Sequence, residues 1–92
     1  MSTTKYEIIL ESRVEKYYLK VDSKIAKQLD KCFEYLEKNP FYFPGKIKRL
    51  EGQKGLWRYR VGDLRIIYEV IQEKREVVVL LISSRGDVYK KI

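Results

Sequence analysis

The segment Trp57-Arg58-Tyr59-Arg60-Val61-Gly62-Asp63-Leu64-Arg65-Ile66-Ile67-Tyr68 constrains the fold of this chain more than any other. Runs of β-forming residues flank Gly62-Asp63. Glycine in the first place of a two-residue loop suits the turns whose twist matches that of paired strands. A tight turn there fixes the register: Val61 opposite Leu64, Arg60 opposite Arg65, Tyr59 opposite Ile66, Arg58 opposite Ile67. Side chains alternate across a strand, so Arg58, Arg60 and Arg65 share one face, while Trp57, Tyr59, Val61, Leu64, Ile66 and Tyr68 share the other. Two arginines directly opposite each other repel. A sheet built for stability alone would place an acid at one of those positions. An anion, a phosphate above all, removes the penalty.

With 92 residues the chain has room for one core, hence one domain spanning 1–92. Hydrophobic content of 45% and charged content of 36% fit a small globule rather than a disordered chain. Lys and Arg number 20 against 13 Asp and Glu, and the net charge of +7 favours a polyanion or an acidic protein as partner. Cys32 is the single cysteine, so no internal disulfide forms and a reducing cytoplasm is the expected compartment. No apolar run reaches the roughly 18 residues of a membrane span, and no signal-peptide pattern opens the chain, so no membrane partner is expected. The absence of histidine argues against a structural zinc site and a Ser-His-Asp triad, and no metal or cofactor is expected.

Residues 5–11 read as a first strand with Tyr6, Ile8 and Leu10 on one face. Ser12 is a candidate N-cap for a helix to about Lys20, in which Val14, Tyr17, Tyr18 and Val21 recur at spacings of three and four. Asp22 or Ser23 caps a second helix to about Asn39, with an apolar stripe of Ile25, Ala26, Leu29, Cys32, Phe33 and Leu36. Pro40 ends it. Residues 40–56 read as irregular, with Phe41-Tyr42-Phe43 anchoring the segment on the core or offering a ring to a nucleobase. After the hairpin, Gln72-Glu73-Lys74-Arg75 forms a turn. The run Val77-Val78-Val79-Leu80-Leu81-Ile82 then forms a strand apolar on both faces, expected at the centre of the sheet and covered on both sides. In the simplest register Val78, Leu80 and Ile82 lie beside the arginines. The order β-α-α-β-β-β predicts a two-layer α+β fold: a helical hairpin on one face of an antiparallel sheet, the other face open and lined by arginines.

This order, with Lys48-Arg49-Leu50-Glu51-Gly52, the run Trp57 to Tyr68 and the ending Ser84-Arg85-Gly86-Asp87-Val88-Tyr89, resembles the RelE/ParE superfamily of toxins from type II toxin–antitoxin systems. RelE-like members cut mRNA in the ribosomal A site; ParE-like members inhibit DNA gyrase without chemistry. Both are neutralised by a small antitoxin whose C-terminal segment wraps the toxin. Carried over by position, the resemblance implies a catalytic set of Arg58, Arg60, Arg65, Arg85 and Tyr89. The chain departs from the best-known RelE type, which carries lysines where Arg58 and Arg60 stand, and from branches that rely on a near-C-terminal histidine.

Metal-independent RNA cleavage through a 2′,3′-cyclic phosphate needs in-line positioning, charge stabilisation and proton transfers. Arg58, Arg60 and Arg65 suit the first two, since guanidinium binds phosphate oxygens in pairs. Arginine stays protonated and makes a poor base, which leaves Tyr89 or Glu51 for the protons. Lys46, Lys48 and Arg49 are candidate RNA contacts. The bland alternatives are a solvated basic face paired with Glu69 or Glu76, a tail anchor in Tyr89, and an Arg85 bound to Asp87 or the terminal carboxylate. The leading expectation is a ribosome-dependent mRNA endonuclease toxin. A ParE-like gyrase inhibitor and an inactive basic binding module stand beside it. In the first two cases the partner is an acidic, RelB-like antitoxin.

Overall fold

The computed structural model describes residues 5–50, 52 and 55–84. Strand β1 (Glu7–Leu10) leads to helices α1 (Ser12–Lys20) and α2 (Ser23–Lys38). Strands β2 (Ile47–Arg49), β3 (Leu56–Val61) and β4 (Leu64–Ile71) follow, then a 3-10 turn (Gln72–Lys74) and β5 (Glu76–Ser84). The strands form one sheet in the order β1-β5-β4-β3-β2. This is the α+β arrangement expected, in a sheet that is mostly antiparallel.

Helix α2 begins where the sequence places it, because the Asp22 carboxylate accepts a hydrogen bond from the Ile25 amide at 3.0 Å and so satisfies one of the first-turn donors. It ends at Asn39, ahead of Pro40. Helix α1 differs from expectation: Ser12 is its first helical residue, Glu11 occupies the cap position, and no side chain caps it. The helices cover one face of the sheet. Val14, Leu29, Cys32 and Leu36 pack there against Tyr59, Leu64, Ile66, Tyr68, Val77, Val79 and Ile82, all of them buried. Burying each such aliphatic side chain contributes about 1.5–3 kcal/mol. Cys32 is therefore a core residue, as its place on the α2 stripe implies.

Three features depart from the sequence reading. First, β1 pairs with β5 in parallel, Ile8 beside Val77 and Leu10 beside Val79. Two helices and three strands separate β1 from β5 in sequence, so no tight turn forces the two to run antiparallel. Second, the stretch expected to be irregular contains β2, which pairs antiparallel with β3 and places Lys48 beside Arg58. Third, β5 carries a bulge. Ile67 pairs with Leu81 but Tyr68 pairs with Val79, so Leu80 has no partner across the ladder and the alternation shifts by one residue.

The bulge corrects the expected surroundings of the arginines. Ile82 pairs with Ile66 and turns to the helices, Leu80 is the extra residue, and Leu81 and Ser83 take places on the arginine side. Val78 stays on that side, beside Glu69. β5 lies inside the sheet, between β1 and β4, as expected, but it is not covered on both sides: Leu81 is 39% exposed. Among the described residues, no helix is long and apolar enough to cross a membrane.

Candidate functional site

The hairpin adopts the register that its turn dictates. Val61 pairs with Leu64, Arg60 with Arg65, Tyr59 with Ile66 and Arg58 with Ile67. Gly62 has φ +58°, and Asp63 has no positive φ. That combination belongs to the turn in which only the first loop residue is left-handed, the place glycine fills without strain. The Arg60 amide donates to the Lys46 carbonyl on the β2 side at 2.9 Å. It therefore points away from β4, and Arg60 and Arg65 form a non-hydrogen-bonded pair, the closer of the two pair types in an antiparallel ladder. Two guanidinium groups thus start from neighbouring Cβ atoms on one face.

Arg58 joins them from two residues up β3, and Lys48 joins from β2 through its pairing with Arg58. Arg60, Arg65 and Lys48 are exposed and Arg58 is half-buried. The Arg58 Nε is buried and has no hydrogen-bond partner among the described residues. A buried guanidinium donor left unsatisfied costs on the order of 1–3 kcal/mol, unless a ligand or water completes it. The two acids named as alternative partners stand differently. Glu69 lies opposite Leu56, diagonal to Arg58, whereas Glu76 lies opposite Ile71, about 13 Å farther along β4 than Ile67. Glu76 is out of reach of the arginines at the turn end.

Lys46, Lys48 and Arg49, adjacent in sequence, separate in space. Lys48 is on the arginine face. The Lys46 ammonium sits over the Phe43 ring, 5.5 Å from its centroid, and the Arg49 guanidinium over Trp57 at 5.9 Å. Phe43 in turn packs on Tyr35 and Tyr59, on the helix-covered side of the sheet. Lys48's place on the arginine face was hidden in the sequence, because a three-residue strand has too few positions to show alternation. Arg85, Tyr89 and Glu51 lie outside the described residues.

Tyr59 and Tyr68, the strand tyrosines nearest the arginines in sequence, face the helices and cannot serve them. Burial, helped by the neighbouring Cys32, pushes the Tyr59 phenol up to about 12. Burial raises Tyr68 as well, and its hydroxyl donates to the Pro40 carbonyl at 2.7 Å. Burial also raises the Cys32 thiol, which disfavours the thiolate a nucleophile would need. Among the described residues there is no group of three His, Cys, Asp or Glu side chains placed to hold a metal ion. What the face offers chemically is fixed positive charge and guanidinium donors for an anion.

Comparison with known proteins agrees with this architecture. Residues 8–89 match the sequence model of the ParE toxin of type II toxin–antitoxin systems. A protein of Methanocaldococcus jannaschii, named as a candidate RelE1 toxin, is 30% identical over 89 residues, covering 94% of this chain and 97% of the relative. The archaeal RelE–RelB complex of Pyrococcus horikoshii superposes with a TM-score of 0.76 at 25% identity, over 89% of this chain and 97% of that one. The isolated RelE toxin of E. coli shares the fold, with a TM-score of 0.74 at 24% identity over 94% and 93% of the two chains. The chain belongs to the ParE toxin family, within the RelE/ParE toxins of type II toxin–antitoxin systems.

Proposed function

We propose that this toxin arrests translation by cutting mRNA on the ribosome, using the RNA's own 2′-hydroxyl as nucleophile. The observation that carries the reading is the cluster of Arg58, Arg60, Arg65 and Lys48 on one sheet face, with the Arg58 Nε buried and unpartnered among the described residues. A phosphate bound there accepts from Arg58 and relieves the repulsion between Arg60 and Arg65. In the reaction the 2′-oxygen bonds to phosphorus and the bond from phosphorus to the 5′-oxygen breaks. The products are a 2′,3′-cyclic phosphate and a 5′-hydroxyl. The guanidinium groups hold the non-bridging oxygens and stabilise the charge that builds on them, work for which arginine geometry is suited.

One proton leaves the 2′-hydroxyl and one reaches the departing 5′-oxygen. Arginine performs neither transfer well. Of the tyrosines, the resemblance assigns this role to Tyr89, and it adds Arg85 to the catalytic set. A site strong in charge stabilisation and weak in proton transfer cuts efficiently only where something else aligns the substrate, which favours action on the ribosome over free RNA. The partner that restrains such a toxin is an acidic antitoxin. The net charge of +7 favours one, and the Pyrococcus horikoshii RelE, whose fold this chain shares, was solved with its RelB.

The match to the ParE sequence model favours a second reading, a protein that inhibits DNA gyrase by binding and does no chemistry. Induction in cells separates the two. Under the nuclease reading, translation stops within minutes, cuts map to ribosomal A sites, and Arg65→Ala slows cleavage on the order of 10²-fold. Intact mRNA together with stalled DNA cleavage complexes would establish the gyrase reading instead.

A further inference from the structure

The loop between α2 and β2 carries a second feature, away from the arginine face. Its backbone is held at each residue from Pro40 to Phe43. The Tyr68 hydroxyl donates to the Pro40 carbonyl, the Phe41 amide to the Asn39 side chain at 3.1 Å, and the Tyr35 hydroxyl to the Tyr42 carbonyl. The Lys46 and Ile47 amides donate to the Phe43 carbonyl at 2.9 and 3.0 Å. Phe41 packs inward on Trp57 and Tyr6, with ring centroids 5.3 and 6.1 Å apart, and Phe43 packs inward on Tyr35 and Tyr59. Tyr42 stands between them and is 65% exposed. A single exposed aromatic residue is ordinary. This one is presented on a pinned backbone, between two half-buried rings that anchor it. Each of those rings leads to a cation: Lys46 lies over Phe43 itself, and Arg49 lies over Trp57, the ring that Phe41 touches.

We infer that Tyr42, Lys46 and Arg49 form a binding site for single-stranded nucleic acid, in which a base stacks on Tyr42 while Lys46 and Arg49 hold the flanking phosphates. A flat ring for a base and fixed cations for the backbone are the two elements such sites combine. A residue whose backbone is already held loses less freedom on binding than one on a loose loop, so more of the stacking energy appears as affinity. Arg49 and Trp57 occupy ladder positions that alternate with Lys48 and Arg58, so Arg49 faces away from the arginine cluster, while Lys46, whose carbonyl accepts from the Arg60 amide, stands at its border. It would therefore grip RNA beyond the bond being cut. It does not depend on the nuclease reading, since binding there needs no chemistry.

The test measures binding of a short fluorescein-labelled oligothymidylate to the full chain by anisotropy. Such DNA has no 2′-hydroxyl and cannot be cleaved by the proposed reaction. Tyr42→Ala and Tyr42→Leu should each weaken binding about tenfold, whereas Tyr42→Phe keeps the ring and binds like the parent. The double variant Lys46→Ala/Arg49→Ala should lower the slope of log affinity against log salt by about 0.7 for each phosphate no longer neutralised. Thermal unfolding, with Tyr42→Leu as the second variant, guards against a loss caused by misfolding. Equal affinities for Tyr42→Leu, Tyr42→Phe and the parent would overturn the proposal. So would variants that keep oligonucleotide binding but no longer bind an acidic antitoxin peptide, which would make the surface a protein-binding one. Failure of the nuclease reading shows separately, as absent mRNA cleavage with this binding intact.

Discussion

Replacing Arg65 with glutamate should make the fold more stable while destroying the anion site. Arg60 and Arg65 are directly opposite in a non-hydrogen-bonded pair, and both side chains are exposed. Like charges in that position cost, and unlike charges contribute, a few tenths of a kcal/mol up to about 1 kcal/mol. Exposure to solvent holds the change from one to the other near the low end, about 0.5–1 kcal/mol at low salt. For a domain of this size that corresponds to a rise of about 2–8 °C in Tm. The expected assay is thermal unfolding followed by circular dichroism at about 10 mM and 1 M salt, where the screening lengths are about 30 and 3 Å. The gain should be present at low salt and largely gone at high salt. Glutamate is also a poorer strand former than many residues, so the full cycle matters. Arg60→Glu should gain similarly, and the double variant, with two glutamates facing each other, should give back what each single change added. A coupling free energy indistinguishable from zero at low salt would refute the claim that this face is electrostatically frustrated. With it would go the main physical reason for placing an anion there.

Two further outcomes follow from the core. Tyr68→Phe removes the buried bond to the Pro40 carbonyl and should cost about 1–2 kcal/mol, read as a lower urea midpoint with an unchanged slope; an unchanged midpoint would show that water takes over the carbonyl. The Tyr59 phenol ionises near pH 12 in the folded protein against about 10 when unfolded, so its contribution is complete below pH 10 and is lost as pH rises through 12. Stability should therefore fall across that window, and Tyr59→Phe should flatten the fall relative to the parent. An equally steep fall in the variant would assign the effect to other groups.

What was legible in the sequence was whatever local chemistry decides. The Gly62-Asp63 turn leaves one short loop between two strands, and that alone sets the register that brings Arg58, Arg60 and Arg65 to one face. Asp22 and Pro40 bracket α2 because a carboxylate at one end and a missing amide at the other act within a few residues. The inward packing of Phe41 and Phe43 follows from their size and apolar rings. Tertiary structure decided the rest. A strand apolar on both faces, such as residues 77–82, carries no alternation, so nothing in it reveals the bulge at Leu80 that turns Ile82 to the core and Leu81 outward. Three residues are too few for β2 to announce itself, yet its pairing with β3 is what sets Lys48 beside Arg58 and leaves Lys46 and Arg49 on aromatic rings. The parallel course of β1 depends on where the helices and the three strands after them leave β5. The composition of that strand is compatible with either direction. The arginine face could be read from twelve residues, but its fourth cation and its apolar neighbours depend on strands that meet only when the whole sheet assembles.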